Sequence, residues 1–374
     1  MGLFFLFLCA FLQFSTASPL RFNSKTGQFK ILQVADMHYA NGAKTSCLDV
    51  LSTEYGTCSD LNTTTFINRL IDAEKPDLIV FTGDNIFGAD CDDSAASQVA
   101  AFAPAVNAHI PWAAVLGNHD QEGDLDRFHL MQHIVSMDYS VSQINPPSMT
   151  LSMSPEGDAY QSNIFQASID GYGNYHLKVS GPQGSSLSKK SMLNLFFLDS
   201  GDYSTVDTIS GYGWIKASQQ FWFSQTAAEL QAEFRSAPHS QNTSAPSFVY
   251  FHIPVREFVE FGESNMTGIR QEGIGSSDLN SGFFSAMVEA GVKAAFVGHD
   301  HVNDFCGRLN GVNLCYGGGF GYHAYGLAGW PRRARFVLVS LGKGDDGEWS
   351  GVQEITTWKR LDDDELSIVN KQLL

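Results

Sequence analysis

The chain has 374 residues, of which 43% are hydrophobic and 17% are charged, a composition that supports a large buried core. Its formal net charge of −17 excludes a nucleic-acid partner held by overall charge, because phosphate backbones are bound by basic surfaces. An anionic substrate would need a concentrated local positive charge, which bound metal ions can supply.

Residues 1–17 are expected to be a signal peptide, cleaved after Ala17, because an apolar run there ends in small residues. The alternative, a membrane anchor, is disfavoured because the unbroken apolar stretch 3–12 is shorter than the ~20 residues that span a bilayer. No later run is long enough either. Glycosylation sequons begin at Asn62, Asn242 and Asn265. We therefore expect a secreted glycoprotein without a membrane anchor, located outside the cell, in the cell wall or in the vacuole.

Five cysteines follow the predicted signal peptide, as is common in chains that fold in an oxidising compartment. Proximity along the chain pairs Cys47 with Cys58, and Cys306 with Cys315 across a predicted hairpin. Cys91 is then left without a partner. Other pairings stay open, because sequence alone does not determine disulfide connectivity.

Strand-like apolar runs that stop at a polar cluster alternate with helical patterns along the chain. The first helix is predicted to begin near a capping Asn62 and to end before Pro76. In chain order the runs are FKILQVADMH (29–38), DLIVFTGDN (77–85), PWAAVLGNHD (111–120), LNLFFLDSGDY (193–203), SFVYFHIP (247–254) and AAFVGHDH (294–301), and further helices are predicted over 95–108, 128–137, 217–234 and 281–291. This alternation predicts an α/β fold with largely parallel strand pairing.

Polar side chains of metal-binding type follow five of these strands. Ligand sites in open α/β sheets form beyond the carboxyl ends of the strands, so the five clusters are expected to meet at one rim. Their members are Asp36 and His38, Asp84, Asn118 and His119, His252, and His299 and His301. Mixed nitrogen and oxygen ligands suit iron, zinc or manganese, and more than four ligands indicate two ions.

The motifs DMH, GDN, GNHD and GHDH, with a histidine after a further strand, resemble the five-part pattern of the calcineurin-like metallophosphoesterases, and the wider sequence resembles a plant purple acid phosphatase branch. The resemblance implies a central β-sandwich of mixed sheets flanked by helices. It covers residues 28–345, the predicted metallophosphoesterase domain. Residues 346–374, which are rich in charge, are predicted to be a peripheral C-terminal extension.

Carried over to this chain, the resemblance implies two metal ions that share Asp84. It also implies that His119 acts as a general acid oriented by Asp120, and that Asn118 contacts the substrate. The first ion would be held by Asp36, His38, Asp84 and His301, and the second by Asp84, Asn118, His252 and His299. Asp300, between two ligands, is expected to point away from the ions, toward a neighbouring segment or solvent.

One position departs from the purple enzymes that the chain resembles. Those enzymes carry a tyrosine three residues after the bridging aspartate, whose phenolate binds ferric iron and gives the colour, whereas this chain has Phe87. Their first motif usually has a glycine where this chain has His38. We therefore predict that His38 replaces the missing ligand and that the metal-loaded protein is colourless.

The glycine-rich segment CYGGGFGYHAYG (315–326) permits two interpretations. Its glycines allow close approach of the backbone to a ligand, in which case His323 and Tyr325 line the substrate pocket. Alternatively, the glycines only shape a turn.

The function predicted from these residues is a secreted phosphatase that hydrolyses small phosphomonoesters by attack of a metal-bound hydroxide. Two alternatives remain. One is a phosphodiesterase of the same fold, and the other is a catalytically inactive purple acid phosphatase-like glycoprotein that acts as a binding module.

Overall fold

The computed structural model describes residues 18–146, 149–152, 164–236 and 244–374. The predicted signal peptide and the sequon at Asn242 lie outside this range. Within the described residues, no helix combines the length and apolar character needed to cross a membrane.

The described residues form two large mixed sheets, a small two-stranded sheet and five α-helices. The strands are β1 (Gln28–Val34), β2 (Leu78–Thr82), β3 (Trp112–Val115), β4 (Met149–Ser152), β5 (Ile164–Ala167), β6 (Tyr175–Ser180), β7 (Ser191–Phe197), β8 (Ser247–Tyr250), β9 (Met266–Thr267), β10 (Ala294–Val297), β11 (Cys306–Leu309), β12 (Val312–Tyr316), β13 (Arg333–Lys343), β14 (Trp349–Leu361) and β15 (Ile368–Leu373). The α-helices are α1 (Asp60–Glu74), α2 (Ser94–Asn107), α3 (Arg127–Ser136), α4 (Ala217–Arg235) and α5 (Phe283–Glu289), and short 3-10 helices span Gly42–Lys44, Gly88–Asp90, Asp120–Glu122 and Arg256–Glu260.

Both large sheets combine parallel and antiparallel strands: the parallel strands form one edge of the first sheet and the centre of the second. The first sheet has the order β15-β14-β13-β1-β2-β3, in which β1, β2 and β3 are parallel. The second has the order β6-β7-β8-β10-β12-β11-β9, in which β7, β8, β10 and β12 are parallel. The predicted α/β fold with mixed sheets is confirmed. The predicted largely parallel pairing is wrong, because seven of the twelve strand pairs in the described residues are antiparallel.

The central strands of the second sheet are apolar on both faces. Phe248 of β8 and Phe296 of β10 belong to the core that the two sheets share, whereas Val249 and Ala295 belong to a second core beneath α4 and α5. This double burial explains why the sequence shows continuous apolar runs here instead of alternation. A fully buried phenylalanine contributes about 1.5–3 kcal/mol relative to an exposed one.

Helix α1 begins two residues earlier than Asn62, so the capping residue is different from the predicted one. Ser59 is the N-cap and accepts a hydrogen bond from the backbone N–H of Leu61. Asn62 accepts a hydrogen bond from the Ser59 N–H at 3.1 Å, which closes a capping box. The helix ends at Glu74, with Lys75 as its C-cap directly before Pro76, as predicted.

Residues 346–374 are integrated into the first sheet, contrary to the predicted peripheral extension. Strand β14 pairs along its length with β13, and only β15 lies at the sheet edge. Trp358 and Lys359 of β14 are buried. The charged residues of this segment concealed the pattern, because Lys359 is paired inside the protein instead of being exposed.

Both predicted disulfides are present, Cys47–Cys58 and Cys306–Cys315. The second joins directly opposed residues of β11 and β12, as the hairpin interpretation required. Cys91 is free and half-buried, and burial raises the pKa of its thiol to about 11.

Candidate metal centre

The carboxyl ends of parallel strands from both sheets meet at one edge of the sandwich, here called the rim. Two contacts hold the sheets together beneath it. The Gln33 side-chain amide of β1 donates to the Val297 carbonyl of β10 at 3.0 Å, and Ala35 forms a β-bridge with Gly319. All five polar clusters found in the sequence lie in loops at the rim.

The first group of potential ligands is buried and consists of Asp36, His38, Asp84 and His301, one ligand atom from each lying within 4.8 Å of all the others. The Nε2 atom of His38 is 3.4 Å from Asp84 Oδ2, and Nε2 of His301 is 3.6 Å from Asp36 Oδ1. The four residues come from three different strand ends, in the combination predicted for the first ion.

The second group is Asp84, His252 and His299, and one ligand atom from each again lies within 4.8 Å of the other two. Nε2 of His252 lies 3.2 Å from Asp84 Oδ2 and 3.1 Å from the side-chain oxygen of Asn118. Asp84 therefore belongs to both groups. The arrangement suits two ions that share one carboxylate.

The chemistry of these side chains fits transition-metal ions. Asp36 Oδ2, His38 Nε2 and Asp84 Oδ2 are buried and have no hydrogen-bond partner within the described part of the protein. Leaving such an atom unsatisfied costs about 1–3 kcal/mol. Two ligand atoms bound about 2.0–2.2 Å from a common ion lie roughly 3.0–3.4 Å apart, close to the separations observed.

Hydrogen bonds to the backbone orient two of the histidines. Nδ1 of His252 donates to the Thr82 carbonyl at 2.9 Å, and Nδ1 of His301 donates to the Tyr325 carbonyl at 3.0 Å. These bonds leave each Nε2 atom directed to the carboxylates. Metal-binding histidines are held in the same way in proteins generally.

At Asp84, His299 and His301 the electrostatics of the cluster favour the forms that metal binding requires, an ionised carboxylate and neutral imidazoles. They oppose these forms at Asp36, whose pKa burial raises well above its usual range, and at His252. Burial lowers the pKa of His299 to about 3 and holds that of His301 well below its usual range. Burial alone would raise the pKa of Asp84, but the neighbouring His252 and His38 outweigh it and keep that pKa well below its ordinary value. Burial similarly opposes the charge on His252, yet Asp84 and Asp36 raise its pKa to about 9.

Four of the predicted ligands have left-handed backbone conformations. The φ angles are +58° for Asp36, +46° for His38, +47° for Asp84 and +80° for His299. Such a conformation costs on the order of 1–3 kcal/mol in a residue other than glycine, and it occurs mostly where function requires it. Comparable positive φ angles also occur at turn and cap residues such as Lys75 and Asn310, so the conformation supports a site here only together with the burial and proximity of these side chains.

Glycines near the ligands allow parts of the chain to approach closely. A Cβ atom on Gly117 would lie 2.1 Å from Asp84 Oδ1, and one on Gly321 would lie 1.8 Å from the Met37 carbonyl oxygen. Gly321 also donates to the Asp36 carbonyl. The glycine-rich segment thus packs against the backbone of the first motif.

His119 is oriented by a different residue from the predicted Asp120. Its Nδ1 lies 2.8 Å from Glu122 Oε2. Asp120 instead accepts hydrogen bonds from the backbone N–H groups of Asn85, Ile86 and Gly117, so it braces the loops that carry Asp84 and Asn118. Glu122 was missed by the sequence analysis, although its position three residues after His119 in a tight turn was a usable signal.

The two candidate substrate residues have different surroundings. Tyr325 lines a cavity of about 350 Å³ above the rim, and its ring stacks on His301 with centroids 3.8 Å apart. His323 does not line this cavity. Its ring nitrogens contact the Ser46 carbonyl at 2.8 Å and Asp90 Oδ2 at 3.0 Å, so it connects two loops.

Phe87 packs against the predicted replacement ligand. Its ring stacks on His38 at a centroid distance of 5.3 Å and lies 4.9 Å from the ring of His119. Phe87, which cannot bind a metal, and His38, which can, are therefore direct neighbours.

Asp300 is buried and contacts neighbouring segments. It accepts hydrogen bonds from the Tyr316 hydroxyl at 2.5 Å and from the Gly275 N–H at 3.0 Å. The alternative of a solvated side chain therefore does not hold.

Tyr212 and Glu272, which also line the cavity, and Tyr203 beside them were missed by the sequence analysis. Glycines flank Tyr212 in SGYGW (210–214), and EGIG (272–275) contains two, but neither segment follows a strand with a metal-binding motif.

Two of the three predicted glycosylation sites lie within the described residues. Asn265 is exposed in a turn, and Asn62 is half-exposed near the start of α1. Modification of either residue stays a prediction.

A buried set of side chains that could hold two ions, at the rim of a mixed β-sandwich, is typical of metallophosphoesterases. Comparison with known proteins agrees, since residues 29–303 match the Calcineurin-like phosphoesterase family. The chain belongs to this family.

Its sequence is similar to plant purple acid phosphatases. It is 56% identical over 357 residues to "Probable inactive purple acid phosphatase 29" of Arabidopsis thaliana, which covers 95% of this chain and 87% of that protein. It is 51% identical to "Probable inactive purple acid phosphatase 14" of the same plant, with 95% and 86% covered. Phosphatase DCR2 of Saccharomyces cerevisiae is 33% identical, with 90% and 54% covered. A dimetal phosphatase from Danio rerio, 13% identical, shares the fold with a TM-score of 0.51, covering 92% of this chain and 98% of that chain.

Proposed function

We propose that this chain is an active phosphomonoesterase that uses two transition-metal ions, chosen from iron, zinc and manganese. The observation that carries the proposal is the complete ligand set at the rim, in which three buried donor atoms have no partner within the described residues. Two such ions supply Lewis acidity toward the phosphoryl oxygens and the attacking water.

The chain's own residues would position the substrate and move a proton. Glu122 holds Nδ1 of His119, so Nε2 of His119 is available to donate a proton to the leaving oxygen. The side-chain nitrogen of Asn118 is buried without a partner in the described residues, so it can donate to a phosphoryl oxygen. Glu122 is thus a positioning residue, and His119 is the proposed general acid.

An inactive binding module is the second candidate, because two similar Arabidopsis proteins are named as probably inactive. The loss of the tyrosine at Phe87 supports that alternative. The neighbouring His38 argues against it, because its buried Nε2 atom lies 3.4 Å from Asp84 Oδ2 and would supply a nitrogen ligand to an ion held by Asp84. We therefore propose a colourless but complete centre.

We also propose that the protein is secreted and glycosylated. The apolar N-terminal run, the sequons and two disulfides support this proposal. Mass spectrometry of protein purified from the culture medium of secreting cells would reveal a start at Ser18 and glycan on Asn62, Asn242 or Asn265. A start at Met1 on an unglycosylated intracellular protein would contradict it.

The activity is tested on purified protein stripped with a chelator and reloaded with iron, zinc or manganese. We expect an aryl phosphomonoester to be hydrolysed at least about tenfold faster than the matching diester, and Asp84→Asn to lower the rate about 100-fold or more. Asp345→Asn removes the same charge from an exposed turn beyond β13 and is the matched control.

The three candidate functions predict different results. A preference for the diester would identify a phosphodiesterase. If wild type and Asp84→Asn are equally inert while two ions per chain are measured in the wild type, the binding-module alternative replaces the proposal. The colour is tested separately: the ferric-loaded wild type should lack a visible tyrosinate band, and Phe87→Tyr should gain one.

A further inference from the structure

The cavity above the rim has walls that carry negative and aromatic groups. Beyond the metal-centre residues and His119, it is lined by Tyr212, by residues 272–275, by Asp300 and by Tyr325. No lysine or arginine lines it among the described residues. A leaving group that departs from the ions through this cavity therefore encounters carboxylates and tyrosine rings.

Tyrosine rings lie against both of the neighbouring ligands His299 and His301. The Tyr325 ring stacks on His301 at 3.8 Å, and the Tyr212 ring meets His299 edge-on at 4.3 Å. Tyr203 stacks on the Tyr212 ring at 5.5 Å, which extends that aromatic wall toward solvent. The two walls thus begin directly at the metal centre.

Glu272 holds a carboxylate in a fixed position beside these rings. Its Oε1 accepts a hydrogen bond from the Val302 N–H at 2.7 Å, and its Oε2 accepts one from the Tyr325 hydroxyl at 2.8 Å. The side chain is only partly buried, and no basic side chain is paired with it in the described structure. Quaternary ammonium groups bind over aromatic faces, and a carboxylate lining the same cavity adds a charge attraction.

The arginines near the cavity are committed to other partners. Arg332, behind Tyr325, is buried and donates to the carbonyls of Leu48, Ala324 and Tyr325. Arg127 pairs with Asp199 and donates to the Gly117 carbonyl. A second anionic group on a substrate would therefore meet Glu272 without a compensating cation.

We infer that this cavity selects phosphomonoesters whose leaving alcohol carries a quaternary ammonium group, and that it disfavours esters with a further anionic group. The inference rests on the proposed phosphomonoesterase activity and names the substrate class of the same site. Tyr212, Tyr325 and Glu272 are the residues that determine this specificity.

The test compares three alkyl monoesters with the metal-loaded protein at pH 7.5 and low salt. They are phosphocholine, its isostere 3,3-dimethylbutyl phosphate, whose alcohol part carries no charge, and phosphoglycolate, whose alcohol part carries a carboxylate. The measured quantity is the ratio of kcat/KM values, which does not depend on the fraction of active protein. One exposed cation–aromatic contact and one screened charge pair should together raise kcat/KM for phosphocholine roughly three- to tenfold above that for its isostere.

Variants locate the source of the preference. Glu272→Gln should lower the ratio of phosphocholine to its isostere toward one, and Tyr212→Leu should lower it by about two- to fivefold. Glu348→Gln, in the exposed turn before β14, is the matched control and should leave the ratio unchanged. Raising the salt from 0.05 to 0.5 M should reduce the ratio in the wild type but not in Glu272→Gln, because salt screens exposed charges.

Binding by calorimetry separates the two proposals. If an aryl monoester is hydrolysed but phosphocholine shows no advantage over its isostere in kcat/KM or in Kd, the inferred specificity is wrong and the phosphatase proposal stands. If no ester is hydrolysed but phosphocholine binds more tightly than its isostere through Glu272, the cavity inference holds and the proposed activity fails. A preference for phosphoglycolate would overturn the inference outright.

Discussion

The protein buries two clusters of charged side chains. In one of them some buried polar side-chain atoms have no partner within the described residues, and in the other every such atom has one. The first is the metal centre. The second, the ion cluster, lies between the GHDH loop and the first sheet and consists of Asp304, Arg333, Arg335 and Lys359, all of them buried. Asp304 Oδ2 is 2.6 Å from Arg333 Nη1 and 2.7 Å from Lys359 Nζ, while its carbonyl accepts from Arg335 at 2.8 Å.

The difference between them lies in the unpaired atoms. No side-chain atom of the ion cluster is buried without a hydrogen-bond partner in the described structure, whereas three donor atoms of the metal centre are. The ion cluster also lacks the positive φ angles found at the ligands. Buried charge that is internally paired stabilises an arrangement of loops, whereas buried charge left unpaired at strained residues indicates a binding site.

The largest expected effect comes from breaking the ion cluster. Asp304→Asn would leave the buried Lys359 and Arg333 without their carboxylate, so we expect the free energy of unfolding to fall by about 3–5 kcal/mol. Urea denaturation in the presence of a chelator measures this without a contribution from metals. Asp345→Asn, in an exposed turn, should change the value by less than about 0.5 kcal/mol. A loss below about 1 kcal/mol for Asp304→Asn would show that the cluster is not a stabilising element.

Metal addition should stabilise the folded protein through the metal centre, whereas breaking the ion cluster destabilises it. An ion that binds only the folded protein stabilises it by about 2.7 kcal/mol at a concentration 100 times its Kd. We expect zinc or manganese to raise the free energy of unfolding of the wild type by about that amount. Asp84→Asn should lose most of the increase, since Asp84 belongs to both ligand groups. An equal increase in both proteins would place the ions elsewhere.

The sequence predicted which side chains come together at the rim, because each of them is encoded locally. An apolar run such as residues 78–82, followed by Gly83 and Asp84, specifies both a buried strand and the polar group at its carboxyl end. Parallel strands of one sheet place their carboxyl ends at one edge, so the clusters after β1, β2 and β3 meet, as do those after β8 and β10.

The errors concern side chains whose roles depend on distant residues. Lys359 looks like part of a charged tail until Asp304, 55 residues earlier, is known to pair with it. His323 stands in a glycine-rich loop that suggested a pocket, but its partner Asp90 comes from the loop after β2. The orientation of Asp120 was misjudged because three backbone N–H groups compete for its carboxylate.

The ion cluster should also contribute to the dependence of stability on pH. Burial alone would raise the pKa of Asp304, but Lys359 and Arg333 outweigh it and lower that pKa. A folded-state pKa below the unfolded value of about 3.9 contributes stability that is complete above the unfolded value and is lost as the pH falls through the folded one. Between pH 5 and 2, the unfolding free energy of the wild type should therefore fall more steeply than that of Asp304→Asn. Parallel curves would contradict the ionised pairing.

The smallest expected effect is at the exposed side of the metal centre, where Glu122 contacts His119. Glu122→Gln should lower kcat/KM for an alkyl phosphomonoester by about three- to tenfold, because one charge-assisted hydrogen bond contributes about 1 kcal/mol. For p-nitrophenyl phosphate, whose leaving group needs no proton, kcat/KM should be nearly unchanged. The exposed Glu263→Gln serves as the control. If Glu122 had a purely structural role, Glu122→Gln would lower kcat/KM equally for both substrates. A larger loss for the alkyl ester would show that Glu122 acts through a proton donor.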